Sequence, residues 1–173
     1  MIRLAHPDDI EAVEHIYNLI HDEEENRNIE IGWLRDVYPV KDTALAALQR
    51  GELFVEEIDG NIVASAIINQ QQVPEYADCK WEYQVPDEKV MVLHTLTVNP
   101  KIKGNGYGKK FVMFYEDYAR ENGCFYLRMD TQSKNVVARA FYKKLGYTEP
   151  GIVYCDFNGI PNVELVCLEK KLS

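Results

Sequence analysis

The four cysteines, Cys79, Cys124, Cys155 and Cys167, form no C-x-x-C pair, and none has a histidine at metal-ligand spacing. That excludes the common zinc frameworks; buried free thiols and no metal site are the expectation. No apolar run approaches the length of a membrane span, and acids interrupt the apolar residues of positions 1–20, unlike a signal peptide. A cytoplasmic protein without membrane contact is therefore expected. Positive charge is also scarce: 19 Lys and Arg stand against 28 Asp and Glu, a net charge of −9. That balance argues against a general nucleic-acid binder. Repeats, linkers and low-complexity segments are lacking too, so 173 residues predict one domain spanning 1–173.

The charge that is present is uneven. Residues 1–30 hold nine acids and two basic residues, whereas residues 99–110 hold four lysines and no acid. An anionic ligand would be drawn to the second patch. Along the chain, Ile2 to Leu4 predicts a short strand, and His6-Pro7-Asp8-Asp9 a helix start with acids facing the dipole. Ile10, Val13, Tyr17 and Ile20 follow at helical spacing, and Asp22 to Glu25 reads as a solvated helix end. Residues 30–40 fit neither period. Lys41 to Arg50 predicts a second short helix stopped by Gly51, and strands 53–58 and 62–69 meet at the Asp59-Gly60 hairpin signal. Residues 70–88, polar and aromatic with two prolines, read as a surface excursion over a site.

Residues 90–98 are apolar on both faces, as in a central strand. Helix 106–122 should bury Phe111, Phe114 or Tyr115, and Tyr118. A strand over 125–129 and a helix over 135–145, with Val137, Phe141 and Leu145 on one stripe, follow it. Strands 147–157 and 163–170 flank Asn158-Gly159. The order β-α-α-β-β-β-α-β-α-β-β predicts an α+β fold, a mixed central sheet with helices on both faces.

Between the central strand and the third helix lies Lys103-Gly104-Asn105-Gly106-Tyr107-Gly108. A strand, a glycine loop and a helix start present backbone N–H groups to a phosphate. The P-loop spacing and its final hydroxyl are absent, and the dinucleotide fingerprint fails because Lys109 stands where its third glycine belongs. Three glycines alone would make only a turn. With the preceding Leu96-Thr97-Val98-Asn99-Pro100, however, the segment resembles the pyrophosphate loop of the GNAT superfamily of N-acetyltransferases. That loop usually runs Gln/Arg-x-x-Gly-x-Gly/Ala after a strand ending in valine, then a proline; here Lys103 stands at the Gln/Arg position. A second segment, Asn135-x-x-Ala138-x-x-x-Tyr142-x-Lys144-x-Gly146-Tyr147, resembles the family's other mark, N-x-x-A-x-x-x-Y-x-K-x-G-F/Y, and lies one helix and one strand later, as in the family.

The resemblance implies the GNAT acyl-CoA N-acyltransferase fold and acetyl transfer from acetyl-CoA to a primary amine, expected to be that of a small molecule, by direct attack. It implies that strand 90–98 splays from strand 125–130. Coenzyme A would then contact Leu96, Thr97 and Val98, the loop Lys103, Gly104, Asn105, Gly106, Tyr107, Gly108 and Lys109, and Asn135, Ala138 and Lys144. Tyr142 occupies the general-acid position. His94 reads equally as general base or as a satisfied core histidine, and Glu82, Glu88 or a water chain are alternatives. Asp130 would orient a partner or cap a turn, and His6, His15 and His21 read as surface residues. Trp33, Tyr38 and Trp81, with Tyr76 and Tyr83, fall where the family frames its acceptor, beside Glu23, Glu24, Glu25, Glu30 and Glu82, a setting suited to a cationic amine. A homodimer is a family habit. A binding module that responds to acyl-CoA without transfer is the rival reading.

Overall fold

Asp59-Gly60 and Asn158-Gly159 are the two sharpest turn signals, and both close hairpins with positive φ at each residue, as tight two-residue turns require. They join β2 (Leu53–Ile58) to β3 (Asn61–Asn69), and β6 (Thr148–Phe157) to β7 (Ile160–Lys171). With β1 (Ile2–Leu4), β4 (Val90–Val98) and β5 (Tyr126–Gln132) they form one sheet ordered β1-β2-β3-β4-β5-β7-β6. This is a computed structural model that describes all residues from Met1 to Ser173. The helices are α1 (Ile10–Glu25), α2 (Lys41–Gln49), α3 (Tyr107–Glu121) and α4 (Val136–Lys144). Element order and fold class are those expected. The last strand begins at Ile160 instead of Val163, and β5 begins after Phe125, which is exposed.

Helices cover both faces. Phe111, Val112 and Tyr115 of α3 and Tyr142 of α4 pack on Met91, Leu93, Leu127 and Met129. On the opposite face, Ile10, Val13 and Tyr17 of α1 and Ala44 and Ala47 of α2 cover Leu53, Val55 and Ile67. Beyond them, residues 70–88 fold down with Tyr76 and Trp81 on Val90, Val92 and Cys167. The stripe expected on α4 is rotated. Val137 is 78% exposed, and the inward positions are Ala138, Phe141, Tyr142 and Leu145.

The sheet is antiparallel except between β4 and β5, which pair only over Val90–Val92 with Tyr126–Arg128. Beyond that point β5 continues against β7 and β4 against β3, so the two strands part from Leu93 onward. Here β4 carries a bulge. Ser65 opposes Thr97 but Ile67 opposes His94, one extra residue on β4, and Thr95 takes φ +50°. Before the bulge Met91 and Leu93 face α3; after it Leu96 and Val98 do. His94, which plain strand alternation would put on the same face as Leu96 two residues on, therefore lies on the opposite one, where it bonds Asn69.

The acidic run Asp22 to Glu25 does more than face water. Asp22 and Glu25 pair with Arg35, and the Glu24 carboxylate accepts the N–H groups of Ile31 and Gly32 at 2.7 and 2.8 Å. These contacts hold residues 26–40 across the end of the sheet where β4 and β5 part. Gln132 at the end of β5 donates from Nε2 to the Gly32 carbonyl at 2.9 Å, fixing the segment from the other side.

Candidate active site

The glycine loop is built from local bonds. Asn99 Oδ1 accepts from the Lys101 N–H at 3.0 Å, and Asn105 Nδ2 donates to the Ile102 carbonyl at 2.9 Å. Gly104 and Gly106 take φ +86° and +74°, and a Cβ at either would meet nothing within 4 Å. Conformation, not crowding, requires glycine there. The N–H groups from Lys103 to Lys109 donate to no acceptor in the protein. Seven free donors at the positive end of a fifteen-residue helix suit a pyrophosphate. Lys101, Lys103 and Lys109 have no ion-pair partner. Lys110, expected to add to that charge, instead pairs at 2.6 Å with Glu56, whose side chain is fully buried.

The parting of β4 from β5 opens a cleft of about 140 Å³ lined by Trp33, Tyr38, His94, Leu96, Asp130, Asn135, Ala138 and Tyr142, among others. The Asn99 N–H bonds the Val63 carbonyl, and Thr97 pairs with Ser65. Backbone groups alternate in direction along a strand, so those of Leu96 and Val98 point away from β3, into the gap. Thr97 turns the other way, and its hydroxyl bonds Ser65 Oγ at 2.8 Å; it holds the strand instead of facing the cleft. Asn135 Oδ1 caps α4 through the Ala138 N–H at 3.1 Å, leaving its Nδ2 free.

Tyr142 is 8% exposed, and its hydroxyl, on the cleft wall, has no hydrogen-bond partner in the protein. Burial, aided by the nearby Asp130 carboxylate, raises its pKa well above the ordinary phenol value, so the proton stays on at neutral pH. Asp130 accepts from the Tyr76 hydroxyl at 2.6 Å; burial pushes its carboxyl up to about 6 despite that bond. His94 Nε2 lies 2.9 Å from Asn69 Oδ1, and burial lowers its pKa to about 4. The ring is neutral at pH 7 and a weak proton acceptor. The Tyr38 hydroxyl bonds Thr95 Oγ1 at the bulge, and its ring meets Trp33 edge-on at 6.1 Å.

Of the expected site residues, the cleft brings together Trp33, Tyr38, His94, Leu96, Asn135, Ala138 and Tyr142. Trp81 is elsewhere. It is 8% exposed under the Arg128 guanidinium, 4.1 Å from the ring centroid, and donates Nε1 to the Tyr76 carbonyl. Lys144 is exposed on the last turn of α4 and does not line the cleft. None of Glu23, Glu24, Glu25, Glu30 and Glu82 lines it; Asp130 is its one carboxylate. His21, read as a surface residue, is 2% exposed, with Nε2 2.9 Å from the Pro39 carbonyl. Sequence reasoning missed Asn69 and Thr95. No local signal marks a polar residue at a strand end, and no glycine marks the bulge.

The whole fold is that of known acetyltransferase structures. It superposes on an acetyltransferase of the GNAT family from Streptococcus agalactiae with TM-score 0.83 at 21% identity, covering 100% of this chain and 95% of that one. Against the Salmonella typhimurium protein yncA, solved with its cofactor acetyl-CoA, the TM-score is 0.71 at 20% identity over 100% and 94%. In sequence, 76 residues are 29% identical to an uncharacterised N-acetyltransferase of Methanocaldococcus jannaschii, 44% of this chain and about a third (34%) of that protein. The sequence model of the acetyltransferase (GNAT) family matches residues 13–147, from α1 through the glycine loop to the end of the Tyr142 segment, and the chain belongs to that family.

Proposed function

We propose that the protein transfers the acetyl group of acetyl-CoA to the primary amine of a small molecule by direct attack. One observation carries the reading: an unpartnered, proton-bearing Tyr142 hydroxyl lines the cleft where β4 leaves β5, together with Leu96. The free donors and unpaired lysines of the loop from Lys103 to Lys109 support a pyrophosphate site there. Leu96 and Val98 would bond the amides of the pantetheine arm, with Asn135 Nδ2 and Ala138 on the other wall. Acetyl-CoA supplies an activated carbonyl and a thiolate leaving group. The Leu96 or Val98 N–H offers a donor for a developing oxyanion, and Tyr142 a proton for the departing sulfur. Trp33 and Tyr38 would line the acceptor's approach. With its low basicity, His94 suits a hydrogen-bonding wall better than a base.

The test is mass-spectrometric detection of acetylated product from purified protein, acetyl-CoA and a panel of amines, amino acids and peptides. A product that disappears with Tyr142→Phe supports transfer and identifies the acceptor. Acetyl-CoA binding without any product would favour the acyl-CoA-responsive module.

A further inference from the structure

Asp130 is a carboxylate that lacks a counter-ion. It stands on β5 two residues past the last β4–β5 pair, half-buried and lining the cleft. Tyr76 and Glu75 approach it from residues 70–88, Tyr38 from the α1–α2 segment and Tyr142 from α4. Cys155 and Cys167 do so from β6 and β7, and His94 stands across the cleft on β4. None of these is a cation at neutral pH. Arg128, two residues earlier on the same face, commits its guanidinium to Glu169, Gln72 and the Tyr83 carbonyl. Tyr76 donates to Oδ2, and Oδ1 has no partner in the protein. A half-buried carboxylate whose surroundings hold no cation is unfavourable, and a cationic ligand entering from the cleft relieves it.

We propose that Asp130 receives the ammonium group of the acceptor and takes the proton that must leave before nitrogen can attack. The inference rests on the transferase reading and narrows its substrate class to aliphatic amines, which are protonated at neutral pH, over arylamines, which are not. An ammonium nitrogen has no lone pair. Its proton passes to Oδ1, the freed pair forms the N–C bond, and the C–S electron pair leaves with sulfur, which takes the Tyr142 proton. The second proton on nitrogen restores Tyr142, and Asp130 releases its own to solvent.

The experiment follows the aspartate carboxyl carbons by 13C NMR across pH, the Asp130 signal being assigned by its loss in Asp130→Asn. The probe is n-butylammonium chloride, with n-butanol as its neutral analogue. The expected result is a midpoint that n-butylammonium moves to lower pH in a saturable way and n-butanol leaves in place. A midpoint that n-butylammonium does not move overturns the proposal. In turnover assays with the acceptor found by the product screen, Asp130→Asn should raise the amine KM and abolish the acidic limb, with acetyl-CoA Kd within twofold of wild type. A parallel loss of acetyl-CoA affinity would make Asp130 structural and overturn the assignment. If the wild-type protein binds no acetyl-CoA, the transferase reading fails, while the NMR titration still decides whether Asp130 is an ammonium site.

Discussion

Replacing Asp130 by asparagine should stabilise the ligand-free protein at pH 8 and leave it unchanged near pH 4. Burial raises the carboxyl from 3.8 to about 6 in the folded protein, so folding favours the protonated form. The stability this group contributes is fully present below 3.8 and is lost as pH rises through about 6. At roughly 1.4 kcal/mol per pH unit the loss is about 3 kcal/mol, and water on the open cleft side screens it towards about 2 kcal/mol. Asparagine resembles the neutral acid and keeps an acceptor for the Tyr76 hydroxyl, so the variant should escape that loss. For a chain of this size, ~2–3 kcal/mol corresponds to a Tm higher by about 4–12 °C. The assay is thermal unfolding of both proteins by circular dichroism from pH 4 to pH 8. Equal Tm values at pH 8 would refute the reasoning. So would a difference that persists undiminished at pH 4, since it would have a source other than titration of this carboxyl.

Three further outcomes are expected. Tyr142→Phe removes only a hydroxyl that bonds nothing in the protein, so stability and acetyl-CoA Kd by calorimetry should hold while kcat falls by about 10²-fold or more; an unchanged kcat would move the general acid elsewhere. Gly106→Val places a β-branched residue at φ +74°, where the strain is about 1–3 kcal/mol. The loop should escape it by distorting, weakening acetyl-CoA binding by roughly tenfold on calorimetry, and unaltered affinity would defeat the loop assignment. His94→Ala should leave the acidic limb of the rate profile in place, because burial lowers its titration to about 4, whereas Asp130 titrates at about 6. Disappearance of a limb near pH 6 in that variant would restore the histidine as base.

Much of the fold was legible because its signals are local. Asp59-Gly60, Asn158-Gly159, the cap Asn135 and the positive-φ glycines Gly104 and Gly106 each act within a few residues of themselves. What was not legible depends on distant partners. Trp81 reads as a loop aromatic until Arg128 is seen above it, and Arg128 is there because the buried Glu169 on β7 holds it. The acids at the end of α1 read as solvated until Arg35 and the amides of Ile31 and Gly32 fold back onto them. On α4, hydropathy favours Val137 for the inward stripe. The core instead takes Ala138 and Tyr142, which pack with Phe141 and Leu145 against the α3 cluster, a partner far along the chain.

The extra residue in β4 links these parts. Without it, strand parity would carry Met91 and Leu93 on to Thr95 and Thr97, placing hydroxyls against α3 and the Leu96 side chain on the opposite face. The bulge returns Leu96 and Val98 to the α3 core while their backbone groups address the gap left by β5. It also holds a β-branched threonine at φ +50°, a conformation that persists only when its surroundings impose it. Tyr38 supplies that constraint through Thr95 Oγ1, and Tyr38 belongs to the segment pinned by Glu24, Arg35 and Gln132. The wall proposed for the acceptor and the strand proposed for the thioester therefore meet at one hydrogen bond. Displacing residues 26–40 would disturb both at once, which gives the acidic end of α1 a part in shaping the cleft although none of its carboxylates enters it.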